Sequence, residues 1–135
     1  MQLTKEEILQ RLAQSCKGTL METLDIKYID VGEDFLVAQM PVNSRVHQPD
    51  GVLHGGASVA LAESVGSAAS FLFLNGQEVM VRGLEISANH IKSKSAGMVY
   101  AKASFIHKGR TTQIWNIDIV DELSLIHISE PTRPY

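Results

Sequence analysis

The sequence lacks most features that mark secreted, membrane-spanning or fibrous proteins. It has one cysteine, Cys16, which excludes an internal disulfide and fits a reducing compartment, so we expect a cytoplasmic protein. No apolar run reaches the roughly 18 residues of a membrane span, and the most apolar stretch, 57–74, is interrupted by Glu63 and four serines. The N-terminus carries Glu6 and Glu7 where a signal peptide needs basic and then apolar residues.

An excess of positive charge is also missing. The net charge is −3, so no global field attracts nucleic acid or an anionic membrane, and we expect neither as a partner. The four prolines are scattered, and there is no Gly/Ser tract and no internal repeat, which favours one domain over residues 1–122. Residues 123–135 begin like a strand and end rich in proline. We interpret them as an atypical tail from a cloning or frame-shift junction.

Hydrophobic periodicity predicts an α+β chain. Thr4 and Glu7 fit a capping box, and an apolar stripe follows, so a short amphipathic helix should run to about Cys16. A long helix is predicted over 55–73. Alternating residues predict strands at 24–31, 35–42, 83–92, 98–107 and 112–120, the last two joined by a hairpin turn. This order predicts one long helix against one antiparallel sheet.

The long helix has an unusual composition, because most of its residues are glycine, alanine or serine. Small side chains permit close approach, which favours a central helix with other elements packed tightly around it. Simple packing at a helix crossing explains the same composition without any activity.

One segment carries the chemistry, running from Gln48 through His54-Gly55-Gly56 into the long helix. Two glycines at a helix start leave backbone N–H groups uncovered, which suits an oxyanion or a polarised carbonyl. Glu63 lies in the middle of this helix, where it can attack a carbonyl or activate a water held by Ser67. Taken alone, His54-Gly55-Gly56 is more simply a tight turn and Glu63 a solvated side chain. The two together are a more specific sign of an active site than either one alone.

The spacing of these groups has a structural consequence. Gly55 and Glu63 are eight residues apart, roughly 12 Å along a helix. A reacting ester carbon needs its oxyanion donor and its nucleophile or water each about 3 Å away. We therefore expect the site to form between two chains, with Gly55 of one facing Glu63 of the other across a two-fold axis.

The motif QPDGVLHGGASVALAES at 48–64 closely resembles the hotdog-fold acyl-CoA thioesterases. Within this family the chain is most similar to the branch that acts on aromatic acyl-CoA, including thioesterases of menaquinone and enterobactin synthesis. The similarity runs from about residue 3 to Glu122 and includes 83–90. It implies a hotdog fold, in which a sheet of five to six strands wraps the long helix, and a homodimer or dimer of dimers.

The resemblance also implies roles for the motif residues. Glu63 would be the nucleophile or general base, and the Gly55 amide would polarise the thioester carbonyl. Gln48 and His54 would orient the acyl group and the carbonyl, and Ser67 would position the water. No cofactor is implied.

Substrate binding is assigned to a second set of residues. Coenzyme A carries phosphates, and basic residues at strand ends and in the hairpin turn are candidates to hold them. Solubilising lysines at strand ends are equally common. The predicted substrate- and CoA-binding residues are Ser64, Arg82, His90, Lys92, Lys94, Lys108 and Arg110.

Two other functions compete with hydrolysis. A hydratase or dehydratase on the same fold would use the histidine for proton transfer at the substrate β-carbon, and an acyl-CoA sensor would bind without turnover. A zinc site is not expected, because the five histidines lack metal-binding spacing and there is no second cysteine.

Overall fold

The computed structural model of the chain describes residues 3–73, 87–90, 92–108, 113–121 and 125–130. Three α-helices are present in these ranges: α1 (Lys5–Ser15), α2 (Leu20–Thr23) and α3 (Gly55–Leu72), with a 3₁₀ helix at Ser44–Val46. Six strands are present: β1 (Lys27–Val31), β2 (Phe35–Val42), β3 (Ser87–His90), β4 (Gly97–Lys108), β5 (Gln113–Val120) and β6 (Leu125–Glu130).

All six strands form one antiparallel sheet in the order β1-β2-β4-β5-β6-β3. The long helix α3 packs on one face of this sheet, against β2, β4 and β5. The predicted plan, a long helix against an antiparallel sheet with a short N-terminal helix, is confirmed. No helix among the described residues is long and apolar enough to cross a membrane.

The core lies between α3 and the sheet, and the sequence pattern explains it. Along β2 buried and half-buried residues alternate strictly, as expected for a strand with one covered face. On β5 the buried residues are Trp115, Ile117 and Ile119, which the period of two had placed on one face. On the helix side, small residues such as Ala62 and Ala69 are fully buried, so α3 lies close to the strands.

Local sequence signals fix the helix boundaries. The Thr4 hydroxyl accepts a hydrogen bond from the Glu7 amide at 3.1 Å, and the Glu7 carboxylate accepts from the Thr4 amide at 3.3 Å, so the predicted capping box is present. Helix α1 ends at Ser15 with Cys16 as its C-cap. Helix α3 begins at Gly55 as predicted and ends at Leu72, one residue early.

The strand boundaries differ from the predictions at several places. β1 begins at Lys27 rather than residue 24, because α2 occupies the preceding residues and Asp25 adopts a left-handed conformation with φ 58°. β3 covers four residues of the predicted 83–92. The hairpin turn at 109–112 lies outside the described residues. β6 falls within the predicted tail and pairs with β5 and β3; the separate origin of 123–135 stays a prediction.

The most buried polar contact in the core joins α3 to the sheet. The Trp115 indole N–H donates to the Ser70 hydroxyl at 2.6 Å, and both residues are fully buried. A buried donor that loses its acceptor incurs a desolvation penalty because water cannot replace the partner.

We therefore predict that Ser70→Ala lowers the free energy of unfolding by about 1 to 3 kcal/mol. Urea denaturation measures this as a lower midpoint at an unchanged slope. Ser15→Ala is the matched control, since Ser15 is exposed and its hydroxyl donates to the Leu12 carbonyl within α1 rather than between elements. Equal stability of the two variants would contradict the assignment.

Candidate active site

The start of α3 presents one backbone donor without an acceptor. The Ala57 and Ser58 amides donate to the His54 carbonyl at 3.0 and 3.3 Å. The Gly56 amide donates to Nδ1 of the His54 ring at 2.8 Å. Within the described part of the chain, the Gly55 amide alone has no hydrogen-bond partner in this first turn. The helix dipole adds partial positive charge here, so the Gly55 N–H can receive a carbonyl oxygen or an oxyanion.

His54 is both the N-cap of α3 and an exposed ring beside this amide. Because Nδ1 accepts from Gly56, the neutral ring carries its proton on Nε2, which can donate outward. A Cβ at position 56 would lie 2.9 Å from Nδ1 and 3.0 Å from Cε1 of this ring. Glycine at 56 therefore leaves the space that the ring occupies.

The loop before α3 is held by short backbone hydrogen bonds. The Gln48 amide donates to the Val52 carbonyl at 2.8 Å, and the Gly51 amide donates back to the Gln48 carbonyl at 2.9 Å. Gly51 adopts φ 79°, a conformation that glycine tolerates best, so the turn closes without strain. The His54 amide donates to the Val46 carbonyl at 2.7 Å. Gln48 and His54 are thus parts of one compact loop.

Glu63 lies on the face of α3 that points away from the sheet. The buried residues of α3 include Ser58, Leu61, Ala62, Val65, Gly66, Ala69 and Ser70. At helical spacing Glu63 falls on the opposite side, together with Gly56, Ala60 and Ser67. Its side chain is exposed in the single chain and has no hydrogen bond or ion pair to another described residue. The helix is central to the fold, but its outward face is open.

The two serines after Glu63 have different surroundings. The Ser64 hydroxyl donates to the Ala60 carbonyl at 2.7 Å, and the Ser64 carbonyl accepts from the Tyr28 hydroxyl at 3.3 Å. Burial raises the pKa of Tyr28, so this phenol stays protonated and remains a donor. The Ser67 hydroxyl has no partner among the described residues. Ser67 is therefore the serine whose hydroxyl is open to a ligand or a water.

Two of the predicted basic residues, Lys92 and Lys108, lie far apart along the described chain. Lys92 is exposed and precedes β4 by a few residues, whereas Lys108 ends that 12-residue strand, roughly 35 Å away along it. Lys94 is bonded to Asp121, with Nζ 3.3 Å from a carboxylate oxygen. His90 is the last residue of β3. Arg82 and Arg110 lie outside the described residues.

Three residues near the site were missed by the sequence analysis. Tyr28 contacts α3 beside Glu63, His47 contacts the segment before β4, and Asp121 pairs with Lys94. Each contact joins residues 27 or more positions apart, so no local pattern points to it. Over the ranges that the structure describes, no group of three or more His, Cys, Asp or Glu side chains is arranged to hold a metal ion.

Comparison with known proteins identifies the family. The model of the Thioesterase superfamily matches residues 50–124. The 1,4-dihydroxy-2-naphthoyl-CoA hydrolase of Escherichia coli is 46% identical over 114 residues, which cover 84% of this chain and 83% of that protein. The proofreading thioesterase EntH of Cronobacter turicensis is 47% identical over 114 residues, covering 84% and 82%. The chain belongs to the Thioesterase superfamily.

Solved structures share the fold of this thioesterase. A thioesterase of Pseudomonas aeruginosa superimposes with a TM-score of 0.88 at 41% identity, over 93% of this chain and 91% of that chain. A Staphylococcus aureus thioesterase superimposes with a TM-score of 0.81 at 38% identity, over 84% and 95%. The predicted hotdog fold and the assignment as a thioester hydrolase are confirmed.

Some of these structures are of variants. The Pseudomonas protein was crystallised with alanine in place of a glutamine at position 49. The Staphylococcus protein was crystallised with alanine in place of a glutamine at position 32 and, separately, of a glutamate at position 47.

The contact between Gly56 and the His54 ring gives a prediction for the thioesterase. Gly56→Ala should lower kcat for a CoA thioester roughly tenfold to a hundredfold, because the new methyl group displaces the ring by about 1 Å. Steady-state thiol release measures the loss. Urea denaturation provides the control: alanine favours a helix over glycine by about 1 kcal/mol, so stability should not fall. A wild-type kcat would show that the ring position is immaterial.

Proposed function

We propose that this thioesterase hydrolyses an aromatic acyl-CoA to the free acid and coenzyme A, in a site that two chains build together. The observation that carries the proposal is the open Gly55 amide at the start of α3, with an open carboxylate, Glu63, on the outward face of the same helix. The Gly55 amide can donate to a carbonyl oxygen, and the Glu63 carboxylate can attack the carbonyl carbon or activate a water.

The substrate class is supported by the relatives. The Escherichia coli relative is a 1,4-dihydroxy-2-naphthoyl-CoA hydrolase, whose acyl group is an aromatic ring system attached directly to the thioester. In this chain an aromatic surface is available two turns beyond Glu63, since Phe71 is 64% exposed on α3. Contact with such a ring would stabilise a bound aromatic acyl group.

The assignment of Gln48 and Glu63 to the active site is supported by the variants of a relative. In the Staphylococcus thioesterase the substituted glutamine and glutamate, at positions 32 and 47, are 15 residues apart. Gln48 and Glu63 have the same separation here. A glutamine in the loop before α3 and a glutamate in its middle therefore match the pair altered in that protein.

The mechanism follows from the donors and the carboxylate. The thioester oxygen accepts from the Gly55 amide, and Nε2–H of His54 is placed to add a second donor or to orient the acyl group with Gln48. Glu63 then either attacks the carbonyl carbon directly or takes a proton from a water bonded to Ser67. In the first route the C–S bond breaks, coenzyme A leaves as the thiolate, and the acyl group stays on Glu63 as a mixed anhydride that a water then hydrolyses to the free carboxylate and Glu63. In the second route the hydroxide formed from the water adds to the carbonyl carbon, the C–S bond breaks, and Glu63 passes its proton to the departing coenzyme A thiolate.

The distance between Gly55 and Glu63 is the reason for proposing a site built by two chains. Gly55 and Glu63 are roughly 12 Å apart along α3, and a straight helix cannot bring both to one carbonyl. In a two-fold dimer each α3 start can face the middle of the partner's helix, which yields two equal sites. The exposure of Glu63 in the single chain, with Ser67 half-buried beside it, fits this arrangement, since a second chain would cover both. We propose a homodimer, or a dimer of such dimers.

Among the candidates whose side chains the structure describes, we assign the exposed Lys92 to the phosphates. It follows β3 and lies at the end of the sheet where β4 begins. A lysine in this position attracts the phosphates of coenzyme A as a point charge. Arg82, His90, Lys108 and Arg110 remain candidates by prediction.

A cytoplasmic location is supported by the state of Cys16. The thiol is buried at the end of α1, and burial raises its pKa, because the thiolate would lose its hydration. Cys16 is also the one cysteine of the sequence, so the chain uses no internal disulfide, which fits a reducing compartment.

The first test is thiol release from benzoyl-CoA, an aromatic thioester without a β-carbon that can be dehydrated. Glu63→Ala should lower kcat roughly a hundredfold to ten-thousandfold while the fold stays intact. Glu33→Ala, which removes an exposed carboxylate in the turn before β2, is the matched control and should retain wild-type kcat. Near-native activity of Glu63→Ala would refute its role, and tight binding without thiol release would favour an acyl-CoA sensor.

The second test asks whether one site uses two chains. Glu63→Ala and Gln48→Ala chains are co-expressed with different tags, and dimers carrying both tags are purified. If Gln48 of one chain acts with Glu63 of the other, one of the two sites is intact, and activity should return to roughly half of wild type.

Pairing Glu63→Ala with Glu63→Gln is the control for this experiment, because neither chain supplies the carboxylate and no activity should return. Mixed dimers no more active than the average of their parents would place both residues of a site in one chain. An active protein that sediments strictly as a monomer would lead to the same conclusion.

A further inference from the structure

Lys94 is held in a nearly buried ion pair. Its Nζ lies 3.3 Å from a carboxylate oxygen of Asp121, directly after β5, and the two side chains are 14% and 10% exposed. The lysine side chain also folds back over Gly97, the first residue of β4. A Cβ there would lie 3.3 Å from the lysine Nζ, and Gly97 has φ 91°. The pair therefore ties the segment before β4 to the end of β5.

The same segment receives two hydrogen bonds from the loop that precedes α3. The Leu53 amide donates to the Lys94 carbonyl at 2.7 Å. Nε2 of His47 lies 2.8 Å from the Ser95 carbonyl and donates to it. His47 and Leu53 also form a β-bridge with each other, one on each side of the Gln48–Val52 turn. Both ends of the loop are thus fixed to residues 94 and 95.

We propose that Lys94 and Asp121 are positioning residues: their ion pair fixes the backbone at residues 94 and 95, which in turn fixes the loop that places Gln48, His54 and the Gly55 amide. Leu53 directly precedes His54, the N-cap of α3. A shift of the Lys94 carbonyl therefore acts on the Leu53 amide and, one residue later, on the cap itself. This inference rests on the proposed function, because it assigns a catalytic purpose to the loop geometry.

The proposal replaces phosphate binding as the role of Lys94. An ammonium group that is nearly buried and already bonded to a carboxylate offers little to a phosphate, which would have to displace Asp121 and be desolvated itself. Lys92, two residues earlier, is exposed. The two lysines therefore differ in what their removal should change: substrate binding for Lys92 and turnover for Lys94.

The test uses the full chain and benzoyl-CoA over a range of salt concentrations. Lys94→Met and Asp121→Asn should each lower kcat roughly tenfold to a hundredfold, with KM within about twofold of wild type and its salt dependence unchanged. The double variant should fall no further than the worse single variant, because the two residues act as a unit. Lys27→Met, which removes an exposed ion pair with Asp25, is the control and should retain wild-type kinetics.

A second pair of variants avoids leaving a buried charge without its partner. His47→Leu removes the donor to the Ser95 carbonyl and should lower kcat in the same way. His47→Gln, whose amide nitrogen can take the place of Nε2, should restore most of it. Hydrogen exchange of the peptide over residues 46–56, measured without substrate, should be faster in Lys94→Met and His47→Leu and unchanged in His47→Gln.

The outcomes separate this inference from the proposed function. A raised KM with wild-type kcat and a weaker salt dependence in Lys94→Met would overturn the positioning role and support phosphate binding. Unchanged exchange over residues 46–56 would overturn it whatever the activity. Absence of thiol release from the wild-type enzyme, or full activity of Glu63→Ala, would refute the proposed function instead, while faster exchange would still support the link between the ion pair and the loop.

Discussion

The site depends on how the first turn of α3 distributes its backbone donors. Every helix begins with amides that its own carbonyls cannot reach. Here His54 accepts from three amides of the first turn, from Ala57 and Ser58 through its carbonyl and from Gly56 through its ring, and the bond from Ser58 is the ordinary helical one. Only the Gly55 amide is left open within the described residues. Because His54 provides both acceptors, the open donor and the exposed imidazole have a fixed relation to each other. Glycine at position 56 allows this arrangement, because it has no side chain where the His54 ring lies.

The two faces of the long helix α3 have different roles. Small side chains such as Ala62 and Ala69 let the inner face lie close to the strands, so α3 is anchored over much of its length. The outer face carries Glu63 and Ser67, which a single chain leaves open. A helix that was buried all round would have to desolvate this carboxylate permanently. In the proposed site the open face lets a second chain and the substrate enclose the carboxylate only when both are present.

The parts of the fold that local chemistry determines were predictable from the sequence. The capping box at Thr4, the start of α3 at Gly55 and the inward face of β5 follow from spacing alone. The start of β1 was not, because the short helix α2, its C-cap Leu24 and the left-handed Asp25 precede the strand where the sequence pattern continues it. Lys92 and Lys94 are the same residue type two positions apart, and the ion pair of Lys94 with the distant Asp121 has no sign in the local sequence. Contacts between remote residues have no signature in one sequence.

A catalytic backbone amide raises a problem that a catalytic side chain does not. Its chemistry is the same at every residue, so its usefulness depends only on where the main chain places it and on what leaves it without a partner. In this thioesterase that placement is set by hydrogen bonds from Leu53 and His47 to two carbonyls that precede β4. These carbonyls lie just before β4, which pairs with β2 and β5 in the sheet. The loop is therefore tied to the sheet by these hydrogen bonds, and in the proposed mechanism residues that do not touch the substrate govern turnover through them.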